Sequence, residues 1–304
     1  MVEARIAAAA VLTAAGIFVT FAFPSTGTAT PPGRNGLIAF VASNGGFARG
    51  IAVIRSDGSG FRHVTRNRRD RSPSWSPDGK RLAFERGGDI YVIRADGTRL
   101  RRLTRHLRGG QPAWSPDAKE IAFIRRGALY VMRADGTRER PLFRRRGVVA
   151  NRPSWSPGGA RLAFGVTSED EHGGFDAGSI VVIGRRGGRL RYVTDGRGEP
   201  PEDADPGTWA EDRGPDWSPD GKRIAFTRLV WLCPRCDQDE IFSVNVDGSD
   251  AAPLGPELGS SSGPAWSPDG SLVAADGVAI LRVAGTQARL LRSGSAPAWQ
   301  PLPR

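Results

Sequence analysis

Histidine occurs three times in 304 residues, at His63, His106 and His172, and no two stand at metal-ligand spacing. That leaves neither a paired-histidine zinc motif nor a histidine-based catalytic constellation. Cysteine occurs twice, at Cys233 and Cys236, so structural zinc would need two further ligands from elsewhere. Lysine is nearly absent. All but three of the 43 basic residues are arginine, so the formal charge of +11 is carried by guanidinium groups. Arginines crowd the first half, as at Arg62, Arg66, Arg68, Arg69 and Arg71, then at Arg99, Arg101, Arg102, Arg105 and Arg108, then at Arg144, Arg145 and Arg146. These clusters lack interleaved aromatics, which argues against a nucleic-acid surface. They flank the weakest strand signal of each repeat and read as solvated charge on an outer edge, where it discourages edge-to-edge pairing.

What the chain has in quantity is one motif. Pro73-Ser74-Trp75-Ser76-Pro77-Asp78-Gly79-Lys80-Arg81-Leu82-Ala83-Phe84 recurs from Pro112, Pro153, Pro215 and Pro264, with a truncated copy at Pro297. The tryptophans Trp75, Trp114, Trp155, Trp217, Trp266 and Trp299 mark the repeat. Each unit supplies four strand-length pieces: the Trp piece, a Leu-Ala-Phe piece, an Ile-Tyr-Val-Ile piece, and a weaker one at Leu103-Thr104 or Val193-Thr194. Ser-Pro-Asp-Gly joins the first two. Asp57-Gly58, Asp96-Gly97, Asp135-Gly136 and Asp247-Gly248 join the last two, read as two-residue hairpins. Two motifs depart from the rule: Ala118 stands where the others have the turn glycine, and Gly158 where they have aspartate.

A period near 40 residues with four strands per unit predicts an all-β fold, a β-propeller. The last Trp piece has no second strand after it, and Leu37-Ile38-Ala39-Phe40 has no Trp piece before it. Joining them gives a six-bladed propeller of four-stranded antiparallel blades, closed by pairing of the N- and C-terminal strands. The order of Trp-Ser-Pro-Asp-Gly-Lys, Ile-Ala-Phe, Ile-Tyr-Val-Met, Asp-Gly and Leu-Thr resembles the repeat of the TolB-type propellers. The resemblance implies a six-bladed, exported bacterial protein, and the chain shows no counterpart of the extra domain that precedes the propeller in TolB itself. Similar repeats occur in prolyl-oligopeptidase-like enzymes, whose catalytic lobe has no room in this chain, and some free-standing propellers are lyases acting on uronate sugars.

Residues 6–23 form an unbroken apolar run after Arg5, followed by a Pro/Thr-rich stretch. Residues 1–29 are expected to be a secretory signal peptide cleaved after Ala29, or an uncleaved N-terminal membrane anchor. Either way the propeller, residues 36–304 after a linker at 30–35, is exported: periplasmic, extracellular or membrane-anchored facing outward.

Three insertions interrupt the repeat, at 165–178, 195–214 and 227–238, all in connections that a meandering blade puts on one face. The first two are acidic. Glu169, Asp170, Glu171, His172, Asp203 and Asp205, with Trp209 and Trp231, are the candidate ligand-binding residues. Clustered carboxylates suit Ca2+, yet no Asp-x-Asp-x-Asp-Gly loop is present, and a solvated acidic loop explains the same composition. Cys233 and Cys236 are expected to form a disulfide in an exported chain. Gly259-Ser260-Ser261-Ser262-Gly263 matches a nucleophile elbow only in letters, because it precedes a Trp strand rather than a helix. The expectation is a non-catalytic scaffold that binds a protein, peptide or glycan of the cell envelope. A carbohydrate-active or hydrolytic propeller using the axial pocket, and a structural envelope protein without a specific ligand, are the alternatives.

Overall fold

The computed structural model describes residues 34–44, 47–105, 109–168, 178–194, 210–231, 237–255, 263–275, 279–283, 288–291 and 294–302. All elements among them are strands, arranged in six antiparallel four-stranded sheets. Blade 1 holds β1 (Arg34–Asn44), β2 (Phe47–Ile54) and β3 (Arg62–His63). Blade 2 holds β4 (Asp70–Trp75), β5 (Arg81–Arg86), β6 (Asp89–Arg94) and β7 (Arg101–Arg102). Blade 3 holds β8 (Gly109–Trp114), β9 (Glu120–Arg125), β10 (Ala128–Arg133) and β11 (Arg140–Phe143). Blade 4 holds β12 (Val148–Trp155), β13 (Arg161–Ser168), β14 (Ser179–Gly184) and β15 (Arg191–Tyr192). Blade 5 holds β16 (Ala210–Trp217), β17 (Arg223–Trp231), β18 (Asp237–Asn245) and β19 (Ala252–Pro253). Blade 6 holds β20 (Ala265–Trp266), β21 (Leu272–Ala275), β22 (Ala279–Arg282) and β23 (Ala288–Leu290). The last strand, β24 (Gly294–Leu302), returns to blade 1 and pairs with β1, Ile38 opposite Trp299 and Ala39 opposite Ala298. The ring closes as expected.

The Trp strand is innermost in each blade, and successive innermost strands touch in the order β24, β4, β8, β12, β16, β20 and back to β24. The two-residue outer strands begin slightly earlier than the Leu-Thr signal suggests. Apolar residues on both faces of the middle strands fill the joints between blades. Phe40, Phe84, Phe123, Phe164 and Phe226 are fully buried, and the joint between blades 1 and 2 packs Ala39, Ile51 and Val53 against Trp75, Leu82 and Phe84. Full burial of such side chains contributes roughly 1.5–3 kcal/mol each.

The residue before the Trp is read by the next blade in one of two ways. Where it is alanine, its carbonyl accepts the next indole N–H: Trp75 to Ala298 at 3.2 Å, Trp155 to Ala113 at 3.1 Å, Trp299 to Ala265 at 3.0 Å. Where it is Ser74, Ser154 or Asp216, the side chain accepts the next tryptophan's backbone N–H instead, from Trp114, Trp217 and Trp266. The Asp216 carboxyl is fully buried. Burial holds it well above the ordinary aspartate range, against hydrogen bonds from Trp266 N–H, Ser154 Oγ–H and Trp217 N–H.

Among the described residues, one face carries only short turns. In Ser76-Pro77-Asp78-Gly79, the Gly79 N–H donates to the Ser76 carbonyl and the Asp78 carboxylate accepts from Ser76 Oγ–H at 2.5 Å and Lys80 N–H at 3.0 Å. The Asp-Gly turns on the same face are one residue longer than the two-residue hairpins expected. Arg94 N–H donates to Thr98 O, Gly97 N–H donates to Arg94 O, and Gly97 lies at φ +88°. This is a type I turn with a glycine bulge, stabilised because Asp96 accepts from Thr98 N–H and Oγ–H.

The opposite face carries the insertions, and these are shorter than the sequence suggests. β13 runs to Ser168, β16 begins at Ala210, and β17 and β18 form a long hairpin whose last pair is Trp231 with Asp237. Glu211, Asp212 and Arg213, counted with the second insertion, belong to an innermost strand. Asp212 is buried and held by two hydrogen bonds from Arg228, at 2.7 and 2.8 Å, and Arg213 pairs with Asp239. Removing either arginine would leave a buried carboxyl without its partner, a strongly destabilising change.

Candidate functional site

The innermost strands share a distortion that aims side chains at the propeller axis. The residue before each motif proline has φ between +47° and +122°: Ser72, Gln111, Arg152, Gly214, Gly263 and Ala296. Ladder register shifts at this position in β4, β8, β12 and β16, the signature of a β-bulge. For the four non-glycine residues the left-handed backbone costs on the order of 1–2 kcal/mol each. Arg152, almost wholly buried, reaches toward the innermost strands of blades 5 and 6. Its Nη1 lies 2.5 and 2.7 Å from where a Cβ would stand on Gly214 and Gly263, so the two glycines make room for it.

Beside this arginine, on the insertion-bearing face, a cavity of about 630 Å3 opens at the mouth of the channel over blades 2 to 4. Arg68 and Arg69 reach it from the connection into β4, Arg71 and Ser72 from β4, and Arg126 from the turn between β9 and β10. Glu85 of β5, Gln111 of β8 and Asn151 of β12 provide the other polar groups, and Ile124, Val149 and Ala150 an apolar wall. Glu85 occupies the space above Gly110, where a Cβ would fall 2.0 Å from its Oε2. It accepts the Gln111 N–H, and Gln111 in turn accepts Arg152 N–H at 2.8 Å, which ties blades 2, 3 and 4 together under the cavity. Burial raises the Glu85 carboxyl above the ordinary glutamate range, although the Gln111 amide and Arg71 pull the other way.

Two of the cavity's arginines are fixed by the backbone around them. Arg71 Nη1 donates to the carbonyls of Arg68 at 2.7 Å and Asp70 at 3.0 Å, which fixes its guanidinium at the rim. Arg126 adopts φ +49° in a turn where blade 2 uses Gly87-Gly88. Backbone strain of this kind is tolerated where a side chain must sit at a given place. Among the described residues Arg68, Arg69, Arg71 and Arg126 form no ion pair. Arg68, Arg69 and Arg71, read from sequence as outer-edge charge, thus line the channel mouth. The signal was their position directly ahead of a Trp strand, in the connection that must rise to the axis.

None of the sequence-predicted site residues is among those that line this cavity. Glu169, Asp170, Glu171, His172, Asp203, Asp205 and Trp209 are outside the described residues, as are Cys233, Cys236 and the whole of 1–33; Trp231 ends β17. The roots of the three insertions do adjoin one another. Gly178 O accepts Asp212 N–H at 3.0 Å, and Ala210 pairs with Val230 beside the Trp231–Asp237 end of the hairpin. Among the described residues no group of three or more His, Cys, Asp and Glu is placed to hold a metal.

The profile of the TolB beta propeller domain matches residues 20–173, half of the chain. The chain belongs to the TolB β-propeller family. Two TolB structures share its fold. The protein from Acinetobacter baumannii is 20% identical with a TM-score of 0.66, over 88% of this chain and 67% of that one. The putative TolB from Agrobacterium tumefaciens is 21% identical with a TM-score of 0.62, over 85% of this chain and 88% of that one. An oligogalacturonate lyase from Vibrio parahaemolyticus is similar at 11% identity and a TM-score of 0.52, over 89% of this chain and 79% of that one. No curated protein matches the chain. At these identities the likeness shows the propeller and nothing finer. The TolB family therefore accounts for the blade count and the repeat, while the arginine-lined mouth is a property read from this chain's own residues.

Proposed function

We propose that this TolB-family propeller is an exported binding scaffold of the cell envelope, which engages a protein, peptide or glycan through its insertion-bearing face. One observation carries the reading: the cavity with its arginines and the roots of all three insertions open on the same face, while the other face, among the described residues, carries no insertion, only self-contained turns with a groove beside Asp78, Lys80, Arg94 and Asp96. Loops held on a rigid frame are the usual place for recognition. The apolar segment at 6–23 supports export, and family membership supports a partner in the envelope. Affinity capture from envelope extracts, comparing wild type with a variant lacking residues 197–207, tests it. That deletion spares β16, whose Asp212–Arg228 pair a cut to residue 214 would destroy. Loss of a captured species in the variant supports the reading; identical captures refute it.

One observation favours a second reading, a carbohydrate-active enzyme. Glu85 is a carboxyl of raised pKa inside a cavity, the property of a general acid. Hydrolysis or elimination of an envelope glycan that is abolished by Glu85→Gln would establish it, and glycan turnover unaffected by that change would remove it.

A further inference from the structure

We propose that the channel mouth is a binding site for a small organic acid, whose carboxylate is taken by Arg71 and Arg126 and whose apolar body lies against Ile124, Val149 and Ala150. The cavity, at about 630 Å3, falls in the range of small-molecule sites, roughly 300–1,000 Å3. Its charge is one-sided: four arginines face a single carboxyl, and among the described residues no other charged group lines it. An arginine whose position is already fixed loses little entropy when it forms a two-point contact with a carboxylate. Arg71 meets that condition through the two carbonyls that hold its Nη1.

Arg126 meets the same condition through its backbone. The sister turn in blade 2 has glycine at both corners, at φ +59° and +81°, while blade 3 places arginine at the first. A left-handed arginine is costly for a turn that glycine makes freely. The cost is understandable if the guanidinium has a task at the mouth.

The wall selects the rest of the ligand. Ile124 and Ala150, from the apolar core of the joint between blades 3 and 4, line the cavity together with the half-buried Val149. Gly87, Gly88, Gly109, Gly110 and Gly127 keep the remaining surface free of side chains. A bare inorganic oxyanion would leave this wall wet, and a neutral aromatic would leave the arginines unanswered.

Glu85 makes the site sensitive to pH. The groups around it are Arg71 from β4, Arg68 and Arg69 from the connection before it, Arg126 from the β9–β10 turn, and the Gln111 amide from β8. While Glu85 keeps its proton it can donate a hydrogen bond to an incoming carboxylate; once ionised it repels that carboxylate. Affinity therefore falls as pH rises through the raised value.

Organic-acid binding goes beyond the envelope-scaffold reading, and its test uses no envelope material, so either can fail alone. Calorimetric titration of the full chain compares benzoate, benzamide and inorganic phosphate across a pH series from about 5 to about 8. Benzoate is expected to bind, more tightly toward the acid end of the series, with benzamide and phosphate silent. Arg71→Gln and Arg126→Gly should each weaken benzoate by roughly tenfold or more, the loss of a charge-assisted contact. Arg126→Gly also restores the sister turn's residue, so its melting temperature should hold or rise. Stability kept while affinity falls separates a binding role from a structural one. Glu85→Gln should flatten the pH dependence. No benzoate heat, equal binding of benzamide or phosphate, or unchanged affinity in Arg126→Gly would each overturn the proposal.

Discussion

Replacing Gly158 with aspartate should stabilise the protein, and the four motif turns that keep the aspartate say by how much. In each, the aspartate carboxylate accepts two hydrogen bonds: from the serine hydroxyl at 2.5 Å in Asp78, 2.6 Å in Asp117 and Asp220, and 2.7 Å in Asp269, and from the backbone N–H two residues on at 2.9–3.1 Å. The turn at Ser156 keeps its backbone bonds, Ser156 N–H to Arg161 O and Gly159 N–H to Ser156 O, and the bond from Arg161 N–H to Ser156 Oγ, but has no carboxylate to accept the other two. Space is not an obstacle, since nothing lies within 4 Å of a Cβ built on Gly158, and its φ is not in the left-handed region. Two hydrogen bonds on a partly exposed turn are worth about 1 kcal/mol together, at the low end of the usual range. Removing the glycine from the unfolded chain adds about 0.5–1 kcal/mol. The sum, about 1.5–2 kcal/mol, corresponds to a rise of about 3–5 °C in melting temperature for a domain of this size.

Gly158→Ala is the control, because it gains the backbone part and no acceptor. Differential scanning calorimetry on the two variants should rank aspartate above alanine above wild type. The pH dependence adds a second check. In Asp78, Asp220 and Asp269 burial pushes the carboxyl up, but the serine and backbone donors outweigh it and hold the group below its ordinary value. The aspartate increment should therefore be present at neutral pH and fade as pH falls through that depressed value, while the alanine increment persists. Equal melting temperatures for aspartate and alanine would mean that the carboxylate adds nothing to the motif turn, and the hydrogen-bonding role assigned to it would be refuted.

Ala118 holds φ +59° at the position where the sister turns have glycine, so Ala118→Gly should raise stability by about 1 kcal/mol in denaturant melts. Asp216→Asn keeps the shape of the buried group and removes its ionisation. Since the folded carboxyl titrates above its ordinary value of 3.8, wild type should lose stability as pH rises from there toward the raised value, and the asparagine variant should show a flatter profile. Deleting residues 294–304 strips β1 of its partner and uncovers Ile38, Ala39 and Phe40; the truncated chain should aggregate or lose its cooperative melt, seen by light scattering and calorimetry.

The blades were legible in the sequence because the motif encodes its own turn. Ser76, Asp78 and Gly79 each have a separate job in one hydrogen-bonded corner, so the letters recur wherever the corner does. Strand ends on the other face were not legible. The β17–β18 hairpin continues through Trp231 and Asp237, beyond the point where the repeat stops giving guidance, and Asp212 looked like loop charge although it is a buried partner of Arg228. The arginines of the mouth were hidden for a related reason. Arg69 and Arg101 are equivalent as letters in a basic run, and only the direction of the chain, one rising to the axis and the other lying on an outer strand, gives them different surroundings.

The pairing of β24 with β1 has a kinetic consequence. Its contacts join residues such as Arg34 and Leu302, near the largest sequence separation available to the chain, and loops of that length are slow to close. Until that strand arrives, blade 1 keeps an open hydrogen-bonding edge on β1, and the hydrocarbon of Ile38 and Phe40 lacks its cover. Assembly of the circle is thus governed by its latest-made segment. An agent that binds the open β1 edge would hold the molecule in an unfinished state, whatever the condition of the other five blades.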